Sequence, residues 1–249
     1  DNPQLRATLD RLIDEVVTAQ EPSGYLNTYY VQERTGLRFT QMQSGHELYC
    51  LGHLLQAAIA YYRATGDRKL LDAGIRFTNH VMATLGPAPK RPALTGHPEF
   101  EMALVELYRV THNRQYLDYA HYLLSGVERE RMKLTADDTV TLFSGSPFTA
   151  RTRLEGHAVR AMYACAGATD YALETGDAAY GKTLETLWQD MVRRRLYITG
   201  GVGSRARHEA FGDDYELPNL LAYTESCAAI GNMMWNWRML AATGESRFA

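Results

Sequence analysis

Apolar residues recur at Leu48, Leu51, Leu55, Ala58, Ile59 and Tyr62 in the stretch HELYCLGHLLQAAIAYYRATGD (46–67). That i, i+3, i+4, i+7 spacing places them on one face of a helix. Gly66 predicts the end of this helix, and Asp67 predicts the cap of the next, KLLDAGIRFTNHVMATLG, which stops near Gly86-Pro87. The arrangement is then written again at 96–113, 156–177 and 224–245. Each unit has a polar start, a helix rich in small and aromatic residues, and a short turn: Thr65-Gly66-Asp67, Thr111-His112-Asn113, Thr175-Gly176-Asp177 and Thr243-Gly244-Glu245. A more amphipathic helix follows each of the first three turns, and another helix is predicted over residues 4–20. The spacing between units drifts too much for a short solenoid repeat. The variable lengths fall in the loops 86–96, 127–154 and 198–223, all at one end of the helix pairs.

The first helix of each pair carries few Lys or Arg and reads as buried on most sides, while the second is charged on one face. Concentric helix layers require that alternation. The expected fold is therefore all-α, an (α/α)6-toroid-type barrel with inner and outer helices. About eight helices are predicted, and a closed toroid of six pairs needs more, so residues 1–249 read as part of a larger barrel domain.

Composition changes this picture little. At 45% hydrophobic and 22% charged residues the balance is that of an ordinary soluble globular chain. A net charge of −3 gives no footprint for nucleic acid, and the Arg193-Arg194-Arg195 run is expected to complement a helix dipole. No apolar run approaches the roughly 18 residues of a membrane span. The opening DNPQLRATLDRL lacks the apolar core of a secretory signal. Three widely spaced cysteines (Cys50, Cys165, Cys227) make no disulfide framework and suit a reducing, cytoplasmic setting or a metal role.

Chemistry concentrates at the helix starts. His46, His97 and His157 each follow a glycine and open an inner helix, and Glu225 opens the fourth. Parallel inner helices bring all four to one mouth. Neutral imidazoles both donate and accept hydrogen bonds, which suits a polyhydroxyl ligand. Thr224 is the expected N-cap, which puts Glu225 and Cys227 in the first turn, where the positive helix end is expected to lower the thiol pKa. Carboxylate plus thiolate is half of a four-ligand zinc site. Cys50 and Cys165, deeper in their helices, are expected to be inert core residues. In the loop 196–219, GGVGS lacks the Lys-Ser/Thr of a phosphate loop. Arg205, Arg207, Glu209, Asp213, Asp214 and Glu216 crowd the same loop, expected mostly as solvated charges, though any carboxylate there can reach over the mouth as a proton donor. On these residues alone three readings stand: a glycosidase, a metal-free sugar epimerase using paired histidines, and a non-catalytic glycan-binding or protein-binding scaffold.

Several blocks in order, HELYCLGHLLQAA, LTGHPEFEMALVELYRVTHN, EGHAVRAMYACAG, TGGVGS…HEAFGDDYELPN and AYTESCA, resemble the glycoside hydrolase family of β-L-arabinofuranosidases over nearly the whole chain. The resemblance implies an (α/α)6 barrel followed by β-sandwich domains, and a retaining exo-glycosidase acting on an oligosaccharide or glycoside. It implies a zinc ion held by one glutamate and three cysteines, one of them the nucleophile that forms a glycosyl–thioether. Carried onto this sequence, Glu209 becomes the acid/base, Glu225 and Cys227 two zinc ligands, and His46, His97 and His157 sugar contacts. The family's other two cysteines, nucleophile included, form an adjacent pair expected beyond Ala249, so this stretch alone is expected to be inactive and to bind zinc poorly.

Overall fold

The computed structural model describes residues 2–249. Among them the chain forms nine α-helices and no named strand. They are α1 (Pro3–Thr18), α2 (Glu47–Thr65), α3 (Lys69–Thr84), α4 (Phe100–Thr111), α5 (Arg114–Leu124), α6 (Ala136–Thr141), α7 (Ala158–Thr175), α8 (Ala178–Arg194) and α9 (Ser226–Thr243). The eight helices foreseen from periodicity are present; α6, six residues long, is the addition.

Helices α2, α4, α7 and α9 stand side by side in chain order, and α3, α5 and α8 pack outside them. This is the inner and outer layering of an α/α barrel, here an arc of four inner helices. Close approach within the arc depends on small residues: a Cβ added to Gly231 of α9 would sit 2.9 Å from the Met162 Cβ of α7. The expectation that inner helices are buried on most sides holds for α4 and α7. It fails for α9, where Ile230, Met233 and Trp237 are 50%, 64% and 68% exposed. Helices α2 and α9 end the row and have one inner neighbour each, so only one flank is covered.

The repeated turns are one device used four times. Each inner helix ends on a left-handed residue: Gly66, His112, Gly176 and Gly244, at φ 76°, 56°, 68° and 71°. The preceding threonine hydroxyl accepts from the next backbone N–H, as in Thr65 from Asp67 at 3.1 Å. Asp67, Asn113 and Asp177 then accept from the N–H two residues on and start the outer helix. Only His112 meets the left-handed geometry with a Cβ. Replacing it with glycine relieves that strain at some cost in unfolded-state entropy, so His112→Gly is expected to raise stability by about 0.5–1 kcal/mol in urea unfolding.

The lower end of the arc is closed by charge. Arg63 (α2) pairs with Glu106 (α4) at 2.6 Å, and Arg109 (α4) pairs with Glu106, Asp170 and Glu174 at 2.5, 2.9 and 2.6 Å. Arg238 (α9) reaches Asp170 at 2.6 Å. All four inner helices are thereby tied, which leaves their amino ends to shape the opposite mouth.

Candidate active site

The amino ends of α2, α4, α7 and α9 open into one cavity of about 670 Å³. His46, His97, His157, Glu209, Glu225 and Cys227 all line it, so all six candidate residues meet in one place although they lie far apart in the chain. The histidines form a row: ring centroids are 5.9 Å apart for His46 and His97, and 5.7 Å for His97 and His157.

Their hydrogen-bond roles follow from their partners. His46 Nδ1 lies 2.6 Å from the Ser44 carbonyl and His97 Nδ1 3.1 Å from the Pro98 carbonyl. A carbonyl only accepts, so each Nδ1 donates, and in the neutral ring each Nε2 is a bare acceptor. Burial holds His97 down at about 3, so it stays uncharged through the physiological range. His157 Nε2 lies 2.7 Å from Glu209 Oε2, and burial, helped by the Arg160 charge, lowers its pKa to about 4. Above pH 5, then, Glu209 faces a neutral imidazole.

Glu209 is delivered by the loop between α8 and α9. Arg205 and Ala210 exchange backbone hydrogen bonds at 3.0 and 2.9 Å, closing a tight turn with Glu209 at its rim. Phe211 N–H donates to the Gly156 carbonyl at 2.9 Å, and Thr224 N–H to the Gly203 carbonyl at 2.8 Å, so the loop is stitched to the starts of both α7 and α9. The glycines of GGVGS serve this docking: at Gly203, φ +82°, an added Cβ would meet the Ala158 Cβ at 2.8 Å. Four of the six loop charges, Arg205, Arg207, Asp213 and Asp214, are solvent-exposed as expected, and some also pair. Arg205 binds Asp213 and Glu216. Arg195, expected at a helix end as a dipole partner, is instead buried and joins Asp190 to Asp214 at 2.7 and 2.6 Å. Tyr223 OH donates to Glu209 Oε1 at 3.2 Å, and the Glu209 side chain is 42% exposed to the cavity side. His46, His208 and Glu209 hold left-handed φ of 56°, 58° and 51°, so backbone strain gathers at the mouth.

Three expectations need correction. The N-cap of α9 is Glu225, and Thr224, at φ 35°, lies outside the helix. The Cys227 thiol pKa is raised, chiefly by its hydrogen bond to Glu225 and then by desolvation; the backbone N–H pulls the other way but loses to the adjacent carboxylate. Cys50 is exposed, whereas Cys165 is buried as expected.

Glu225 and Cys227 line the cavity together, the carboxylate raising the thiol pKa, and a cation fits between two such donors. They supply two donors, and no three metal-donor side chains converge among the described residues. Carboxylate and thiolate are donor types that zinc takes, and the described residues supply these two.

Helical spacing also brings in residues that reading the helix starts had missed. Tyr49 lies one turn below His46, and Arg160 and Tyr163 one and two turns below His157. Tyr49 and Tyr163 pack edge-on to His97 at 4.5 and 5.6 Å. On α2 and α7 the inward face could have been followed downward from the histidine cap, at i+3 and on α7 also i+6; His97, expected to open α4, instead lies three residues before it and offers no such register.

A family profile described as the β-L-arabinofuranosidase GH127 catalytic domain matches residues 1–249. The chain belongs to this GH127 family. Its whole length aligns at 33% identity with the non-reducing end β-L-arabinofuranosidase of Bifidobacterium longum subsp. longum, covering 41% of that protein. The crystal structure of a GH127 β-L-arabinofuranosidase from Geobacillus stearothermophilus T6 superposes with a TM-score of 0.91 at 36% identity, over 99% of this chain and 41% of that one. A second GH127 β-arabinofuranosidase gives 0.90 at 37%, over 99% and 40%. The GH127 chain described here thus spans about two fifths of the relatives it matches.

Proposed function

We propose that the natural polypeptide containing this chain is a retaining exo-glycosidase that removes terminal β-L-arabinofuranosyl residues from an oligosaccharide or glycoside. The observation that carries the reading is the placement of Glu209 against His157, over a cavity lined by His46 and the neutral His97, in a GH127 chain. His46 and His97 take hydrogens from sugar hydroxyls through Nε2. His157 holds the Glu209 carboxyl in place. Glu209 gives its proton to the leaving glycosidic oxygen and later takes one from the attacking water, the two halves of a retaining displacement.

Glu225 and Cys227 would hold zinc, with two further cysteines, the nucleophile among them, supplied from outside this sequence. Zinc, when bound, keeps a coordinated sulfur as thiolate near neutral pH. Two measurements test this. Proton NMR of methyl β-L-arabinofuranoside hydrolysis should show the β-anomer of L-arabinose first, and metal analysis should find stoichiometric zinc that Cys227→Ala sharply reduces. An α-anomer appearing first rejects retention. Full zinc in the variant removes Cys227 from the ligand set. Interconversion of free sugars without glycoside cleavage favours the epimerase instead.

A further inference from the structure

Arg160 is the only Arg or Lys lining the cavity among the described residues, and the nearest opposite charge, the Glu209 carboxylate, acts on it through space without touching it. Arg160 forms no ion pair or hydrogen bond with the described residues, and its Nε is sealed from solvent without an acceptor. Arg109 and Arg238 share Asp170 and Arg195 holds Asp190; Arg151, outside this cavity, also has a buried Nε without an acceptor, but its guanidinium lies 3.8 Å over the Phe143 ring and donates to the Thr139 carbonyl at 3.4 Å. A half-buried guanidinium without hydrogen-bond partners costs stability, so its presence at the floor of a cavity points to a ligand that completes it.

The surroundings define that ligand. His46 and His97 offer acceptors, so the ligand must donate; Arg160 offers only donors, so the ligand must also accept. A hydroxyl does both. A carboxylate cannot donate, and it would sit beside Glu209 and Glu225. Resting on the sugar reading above, we propose that Arg160 is a specificity-determining residue whose guanidinium fork donates to a vicinal hydroxyl pair of a neutral sugar, while other hydroxyls of that sugar donate to His46 and His97.

Titration calorimetry of the natural polypeptide with L-arabinose and with galacturonate, alongside thermal melts, tests the assignment. Arg160→Met should weaken L-arabinose binding roughly 10- to 100-fold, the loss expected for hydrogen bonds to a charged group. Its melting temperature should stay level or rise, because an unpaired buried charge has been removed. Arg160→Lys, which keeps the charge without the fork, should bind between the two, and Arg160→Gln stands in if the methionine variant does not fold. Unweakened binding in the variants overturns the assignment alone. Weakened binding with a lowered melting temperature makes Arg160 a structural residue and also overturns it. Preference of the unsubstituted protein for galacturonate overturns the neutral ligand. Failure of that protein to bind either sugar overturns the sugar reading and this assignment with it.

Discussion

Glu209→Gln is expected to lower kcat on an alkyl β-L-arabinofuranoside by roughly 10²- to 10⁴-fold, the usual contribution of a positioned acid/base. The carboxyl is held on two sides, by His157 Nε2 at 2.7 Å and by the Tyr223 hydroxyl at 3.2 Å. Glutamine keeps the length and both contacts but has no proton to give. Since the side chain is 42% exposed on a loop anchored by other residues, the melting curve should not move. The loss should shrink on an aryl glycoside whose leaving group departs without protonation, because only the water-activating half of the role is then missed. An equal loss on both substrates points to a positional defect, and an unchanged rate on the alkyl glycoside removes Glu209 from the chemistry.

The layering and the mouth were legible in the sequence for a common reason: both rest on local signals that recur. Four threonine turns announce four helix ends, and three Gly-His starts and one Glu start announce where the opposite ends lie. What was hidden depends on a specific partner, near or far in the chain, that periodicity does not reveal. The segment ADDTVT reads as polar loop, yet Thr135 and Asp138 form a reciprocal capping box that holds it as α6. Cys50 reads as core, yet its side of α2 has no inner neighbour. The Cys227 thiol reads as acidified by its helix, yet a carboxylate two residues away outweighs the backbone. Arg160 reads as one more helix charge until its buried Nε is seen without an acceptor in three dimensions.

Glu99 is the residue whose setting the sequence conceals most, and alkaline pH is expected to expose it. It precedes α4 beside His97, yet it is 1% exposed and neither carboxyl oxygen has a hydrogen-bond partner. Burial, reinforced by the Glu101 carboxyl on its own helix and opposed by Arg238 of α9, raises it to about 8. Tyr49 of α2 and Tyr163 of α7 are the other titratable groups facing it, both raised mainly by burial. His53 Nδ1 of α2 lies 3.5 Å away, but burial lowers its pKa, so at pH 7 the contact joins a neutral acid to a neutral ring. The folded chain therefore keeps a proton that the unfolded chain releases near the ordinary carboxyl value. Its stabilising contribution is complete below about 4.5 and is lost as pH rises through about 8. At about 1.4 kcal/mol per unit, the interval is worth on the order of 5 kcal/mol. Glu99→Gln, neutral at every pH, should escape this loss: urea unfolding should find the variant close to the unsubstituted protein at pH 5 and markedly more stable at pH 9. Parallel pH profiles would mean that the buried carboxyl ionises freely in the fold. Its charge would then lie beneath Tyr49 and His97, and the neutral floor on which the proposed sugar rests would have to be abandoned.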